Sequence, residues 1–168
     1  MINTVLIGDN KIMNKEGQDI VVTTICYLEK DNKYLMLHRT KKKSDLSKGK
    51  WIGVGGHFKD GESPDECIRR EVLEETGYII DKLEFRGIIT FISPRSSEEI
   101  MFLYTSDSFY GNEIECDEGT LKWINKNEIE NLSLWEGDRI FLKKLDEDES
   151  FFSMKLVYDE NDNLISVG

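Results

Sequence analysis

Glu71, Glu74 and Glu75 stand at i, i+3 and i+4 in the run Arg70-Glu71-Val72-Leu73-Glu74-Glu75. In a helix that spacing puts all three carboxylates on one face. Repulsion between such neighbours on an exposed helix is roughly 0.2–0.5 kcal/mol per pair, so the face is tolerable as plain solvated surface. The residues ahead of it argue for more. Gly55, Gly56 and Gly61 let backbone turn sharply and come close to a ligand, which a surface helix does not require. Convergent carboxylate oxygens beside an accessible backbone carbonyl suit a hard divalent cation such as magnesium, which takes oxygen ligands and is often shared with substrate phosphates.

The element that presents these carboxylates is written locally. Residues 55–78 read as a loop followed by a helix. Ser63 is a good N-cap, Pro64 suits the first helical position, and Glu66 completes a Ser-x-x-Glu capping box. Gly77 can supply the left-handed residue that ends the helix, which is expected over 64–76. Around it, β-branched residues at 20–28 and the apolar run at 34–38 predict two strands joined through a polar turn at 30–33. A short strand is expected at 51–54, and further strands at 82–92, 98–106 and 120–124. A helical turn is expected at 126–131, an amphipathic helix over 139–145, and a closing hairpin from 151–158 and 164–167. Strands mixed with two main helices predict an α/β/α sandwich. Residues 1–19 form an N-terminal extension with one short apolar piece at Val5 to Ile7, a candidate marginal strand.

With 168 residues, 39% hydrophobic and 33% charged, the chain suits one folded domain spanning 1–168. Its net charge of −11 opposes binding to polymeric nucleic acid or an anionic membrane, both of which need a basic surface. No apolar run reaches membrane-spanning length and the first residues lack the pattern of a secretory signal, so a cytoplasmic protein is expected. Cys26, Cys67 and Cys116 are widely spaced and predict reduced thiols rather than disulfides or a zinc site. With two histidines, His38 and His57, a histidine-rich metal site is not expected. The one strongly basic stretch, residues 39–50, reads either as a solvated loop or as an attractor for polyphosphate just ahead of the glycines. Arg39, at the end of the second strand, is its candidate ligand-binding residue.

Gly56, Glu62, Arg70, Glu71, Val72, Glu74, Glu75 and Gly77 stand at the fixed spacing of the Nudix signature, with Tyr78 at its closing aliphatic position. The chain resembles the Nudix hydrolases. The later segments at 115–123 and 134–138 look like the MutT-like branch, diphosphatases that cleave oxidised purine nucleoside triphosphates to monophosphate and pyrophosphate. The resemblance implies a mixed β-sheet with the signature loop-helix-loop. It also implies that the Gly55 carbonyl with Glu71, Glu74 and Glu75 holds magnesium or manganese on the polyphosphate. Water is the implied nucleophile, with Glu71 or Glu118 as the base. Arg70 orients the carboxylates, and Glu62 either binds a further metal or pairs with Arg70. Gly56 and His57 face the phosphates, while Trp135 and Asp138 are the implied base-binding pair, Trp135 reading equally well as core.

The implied partner is a small-molecule nucleotide, bound by a monomer or homodimer. Two departures bear on the base: relative to the oxidised-purine enzymes of animals, Gly137 replaces an acidic residue and Ile52 an amide. Pro94, sixteen residues after Tyr78, is placed as in ADP-ribose hydrolases. An ADP-ribose, sugar-nucleotide or dinucleoside polyphosphate pyrophosphatase is therefore the first alternative, and a nucleotide-sensing Nudix domain without catalysis the second.

Overall fold

The computed structural model describes residues 6–7, 11–13, 19–41 and 45–168. Its elements are β1 (Leu6–Ile7), β2 (Lys11–Met13), β3 (Asp19–Lys30), β4 (Lys33–Arg39), β5 (Trp51–Ile52), β6 (Val54–His57), α1 (Pro64–Thr76), β7 (Tyr78–Ile92), β8 (Glu98–Gly111), β9 (Gly119–Asn125), a 3-10 turn (Lys126–Asn131), α2 (Glu136–Asp146), β10 (Phe152–Tyr158) and β11 (Leu164–Val167). Of the expected marginal strand, Leu6 and Ile7 pair with β2, while Val5 lies outside the described residues. So do residues 42–44 of the basic stretch.

β3 is the spine. One edge pairs in parallel with β8, which continues through antiparallel β7, parallel β10 and antiparallel β11. Its other edge is shared along its length: β2 takes 19–21, β6 takes Thr23 to Cys26, and β4 joins only at Glu29 and Lys30. Asp31 and Asn32, at φ 51° and 58°, make the tight turn into β4, and both residue types tolerate that left-handed backbone. β4 then leaves β3 to pair with β5 and β9 in a smaller antiparallel sheet.

The period-two alternation of β3 builds a core on each face. Ile25 and Tyr27 face α2 and join Phe141, Leu142 and Leu145. Cys26 and Leu28 face α1 and join Ile68 and Val72. The sheet is therefore the middle layer of an α/β/α sandwich. All three cysteines are buried and free, and no helix among the described residues is long and apolar enough to cross a membrane.

Several boundaries differ from expectation, β8 for instance running to Gly111 rather than 106, and three of the differences shape the site. Residues 55–57 are strand rather than loop, because Thr23 to Cys26 offers them an unpaired edge; tertiary pairing overrides the poor strand propensity of two glycines. β7 starts at Tyr78 rather than 82, directly after the left-handed Gly77 (φ 78°) turns the chain out of α1. α2 begins at Glu136 rather than 139, so Gly137 and Asp138 belong to its first turn.

Candidate active site

α1 carries the acidic face as its caps dictate. Ser63 accepts from the Glu66 amide, Glu66 accepts from the Ser63 amide, and Pro64 occupies the first turn. A cap of this kind contributes about 1 kcal/mol. One side of α1 is buried through Cys67, Ile68 and Val72, which aims Glu71 and Glu75 at β6. The approach is close. A Cβ on Gly56 would lie 2.7 Å from the Glu71 carboxyl carbon, and one on Gly55 would lie 2.0 Å from the Thr24 carbonyl oxygen. The Gly55 amide donates to Glu75 Oε2 at 3.3 Å. Since amide and carbonyl of one residue leave an extended strand by the same edge, the Gly55 carbonyl faces the acidic helix as well.

Arg70 organises the carboxylates. Its Nε and Nη2 donate to the two oxygens of Glu62 at 2.5 and 2.9 Å, and Nη1 donates to Glu71 Oε1 at 2.5 Å and Glu74 Oε2 at 3.1 Å. Nη2 also reaches the His57 carbonyl at 3.0 Å. The bidentate bond from Arg70 holds the Glu62 carboxyl down at about 2. With both of its oxygens taken by Arg70 and the Lys59 amide, Glu62 is the counter-ion that anchors the arginine. Lys59, which the sequence reading passed over, pairs with Glu74 at 3.1 Å; its place in the signature loop was the available signal.

Glu75 is 9% exposed. Burial, then the neighbouring Glu118 and Glu71 carboxylates, push it up to about 8, against the Gly55 amide and Arg39. Glu118 reaches this site because β9 begins at Gly119, directly opposite Arg39 of β4. Arg39 Nη1 donates to Glu118 at 2.5 Å, and its Nε donates to Asp45, also at 2.5 Å. Thus Arg39, Glu71, Glu75 and Glu118, drawn from three separate stretches of chain, share one electrostatic site.

The donor set suits a hard divalent cation. Glu71 Oε2 and Glu75 Oε1 accept no hydrogen bond among the described residues, and burial together with mutual repulsion raises the proton affinity of Glu75. A cation held there would relieve that repulsion with oxygen ligands. No group of three acidic, histidine or cysteine side chains is already gathered into a ligand cluster among the described residues; Arg70 holds one oxygen each of Glu71 and Glu74, and Lys59 the other oxygen of Glu74. His57 is exposed at the end of β6.

The other implied residues lie on the α2 side of the sheet. Trp135 is 6% exposed, with edge-on contacts to Phe91 and Tyr158, and its Nε1 donates to Ser47 Oγ at 3.0 Å. It is a core residue with one face under Lys50, whose Nζ lies 4.9 Å from the ring centroid. Asp138 is 7% exposed, yet no hydrogen bond among the described residues reaches its carboxylate. Burial, reinforced by Glu99, pushes it up to about 7, against Lys50 and Arg139. Tyr27 also feels Asp138, and its buried hydroxyl, near the Gly53 backbone, makes no hydrogen bond of ordinary geometry among the described residues. Gly137 is small for a reason: a Cβ there would lie 2.4 Å from Leu156 Cδ1 and 2.8 Å from the Tyr158 hydroxyl.

These features match one known family. The NUDIX domain profile covers residues 19–145, and the chain belongs to the Nudix family. It is 36% identical over 120 residues to an uncharacterised Nudix hydrolase of Bacillus subtilis, covering 68% of this chain and 72% of that one. With the oxidised purine nucleoside triphosphate hydrolase of Mus musculus it shares 28% over 126 residues, 74% of this chain and 80% of the relative. Its fold superposes on a MutT protein from Bacillus halodurans with a TM-score of 0.79, at 24% identity over 88% of this chain and 96% of the other. The chain is a MutT-like Nudix hydrolase, an enzyme of phosphoanhydride cleavage, and the family generally uses a divalent metal.

Proposed function

We propose that this enzyme hydrolyses a purine nucleoside triphosphate, an oxidised purine such as 8-oxo-dGTP, to the monophosphate and pyrophosphate in the cytoplasm, using magnesium or manganese. The observation that carries this reading is the Asp138 carboxylate, 7% exposed and without a hydrogen bond among the described residues, one short stretch of backbone away from the acidic face of α1. Lys50 lies beside Trp135 and Asp138, and the chain that follows it reaches Gly55 and Gly56 against Glu71 and Glu75. A nucleoside site at one end of this short run and a phosphate site at the other suit a single nucleotide.

At the phosphate end, Glu71, Glu74, Glu75 and the Gly55 carbonyl hold the ion. When bound, the metal supplies charge neutralisation on the polyphosphate and activation of the attacking water. Arg70 keeps Glu71 and Glu74 aimed, and Glu62 keeps Arg70 aimed. Glu71 or Glu118 takes the proton from water. Arg39 sits where incoming phosphates meet the site, tethered by Asp45 and Glu118, while Gly56 and His57 line the approach. At the other end, a purine exchanges with the flexible Lys50 over the Trp135 face, and Asp138 accepts from the purine edge. A carboxylate buried without a donor is costly unless a ligand supplies one.

The test is kcat/KM for 8-oxo-dGTP, dGTP, ADP-ribose and diadenosine polyphosphates with magnesium. The reading expects the purine triphosphates to lead. A lead for ADP-ribose would replace it with cleavage of a nucleoside diphosphate derivative, and nucleotide binding without turnover would replace it with sensing.

A further inference from the structure

Asp138 is not the only acid at the base end. Glu99 lies on β8 directly opposite Phe91 of β7, and cross-strand partners point to the same face of a sheet. That face is the one on which Phe91 packs against Trp135 and Tyr158, with ring centroids at 5.8 and 4.7 Å. Glu99 Oε1 accepts from the Thr23 hydroxyl at 2.5 Å, and Thr23 is itself 6% exposed. This bond fixes the carboxylate along the face shared with Ile25 and Tyr27. Glu99 is near enough to Asp138 to oppose its ionisation. Glu99 Oε2 accepts no hydrogen bond among the described residues. Two carboxylates from different elements thus lie near one another on the α2 side of the sheet, Glu99 with an oxygen to spare, and Lys50 is the cation beside Asp138 and Trp135.

Resting on the nucleotide reading above, we infer that Glu99, positioned by Thr23, is a second base-recognising acceptor that works with Asp138 to select a purine edge carrying adjacent N–H donors, the 2-amino-6-oxo edge common to guanine and 8-oxoguanine. Two acceptors complement N1–H and the 2-amino group, and Lys50 offers the donor that a 6-oxo oxygen needs. A base presenting oxygen atoms to both carboxylates is repelled. Acceptor sites of this kind discriminate strongly, because an analogue lacking one donor leaves a desolvated carboxylate unpaired.

The test is calorimetric binding of dGMP and of dIMP, which differs only in lacking the 2-amino group, to wild type, Glu99→Gln and Thr23→Val, alongside hydrolysis of dGTP with magnesium. Wild type should favour dGMP by roughly ten- to hundredfold, the worth of a hydrogen bond to a charged group. Glu99→Gln should shrink that ratio several-fold and raise KM for dGTP, and Thr23→Val should shrink it less. Equal or absent binding of the two monophosphates by wild type, or an unchanged ratio in Glu99→Gln, overturns the inference. If the ratio behaves as stated but wild type cleaves no nucleoside triphosphate, the triphosphatase reading falls and the role of Glu99 in base selection stands.

Discussion

Each end of the site holds one buried acid, Glu75 among the phosphate-end carboxylates and Asp138 at the base end, but the surroundings of the two differ. At the phosphate end, the carboxylates of Glu62, Glu71 and Glu74 are partly open to water and neutralised by Arg70 and Lys59. At the base end, Asp138 is buried without a hydrogen bond among the described residues, beside aromatic rings and a second acid. The first arrangement holds charge ready without distorting the fold. The second stores a cost in the protein that a complementary ligand relieves. On the proposed reading, chemistry that serves any polyphosphate is thus kept apart from recognition that rejects most bases.

The contrast is broken most severely at the phosphate end. Glu71→Gln and Glu74→Gln should each lower kcat by roughly 10²–10³-fold, as loss of a preorganised charge does, with melting temperature little changed. Near-normal turnover in both variants would remove the metal role from this helix face. Arg70→Lys keeps the charge but loses the bidentate fork on Glu62, and steady-state assays should show roughly a 10–100-fold loss in kcat/KM. Full activity there would mean that Arg70 does not orient the glutamates. A smaller effect is expected from Gly56→Ala, whose Cβ would meet the Glu71 carboxyl at 2.7 Å. Because the obstacle is the end of a flexible side chain, the variant should fold normally, lose activity about tenfold, and require more magnesium for half-maximal rate.

At the base end the effects fall on binding and stability. Asp138→Asn should raise KM about tenfold with kcat nearly unchanged. It should also alter the pH dependence of stability. The Asp138 carboxyl titrates at about 7 in the fold and near 4 when unfolded. Between those values the native state holds a proton that the unfolded chain has released, so wild-type stability falls as pH rises from about 4 to about 7 and stays lower above it. Relative to wild type, Asp138→Asn should therefore gain stability between pH 5 and pH 8, by ~1–3 kcal/mol. A pH-independent difference in melting temperature would show that Asp138 is not a destabilising buried charge.

The same division governs what could be read in the chain. α1 was legible to its ends because its cap, its proline and its terminal glycine are all local signals, and the spacing of its glutamates is a property of the helix itself. Glu118 could be placed only by resemblance, since its position depends on β9 pairing with β4. At the base end Asp138 lies on α2, Thr23 on β3, Glu99 on β8 and Lys50 in a loop, and no sequence period links them. Glu99 carried a faint signal, an acid at the same parity as Met101 and Leu103 in a half-buried strand. That signal acquires meaning only when β7 lies beside it and Phe91 is seen across the ladder. Gly137 shows the converse: its departure from the related enzymes has a packing cause in Leu156 and Tyr158 that a chain alone cannot display.

The account turns on which phosphoanhydride is cut and with what help. Phosphorus NMR of 8-oxo-dGTP or dGTP incubated with the enzyme and magnesium, with a chelator control, reads both at once. The expected outcome is pyrophosphate and nucleoside monophosphate, appearing only when the metal is present. Release of orthophosphate with nucleoside diphosphate, or pyrophosphate release that persists in excess chelator, would contradict it.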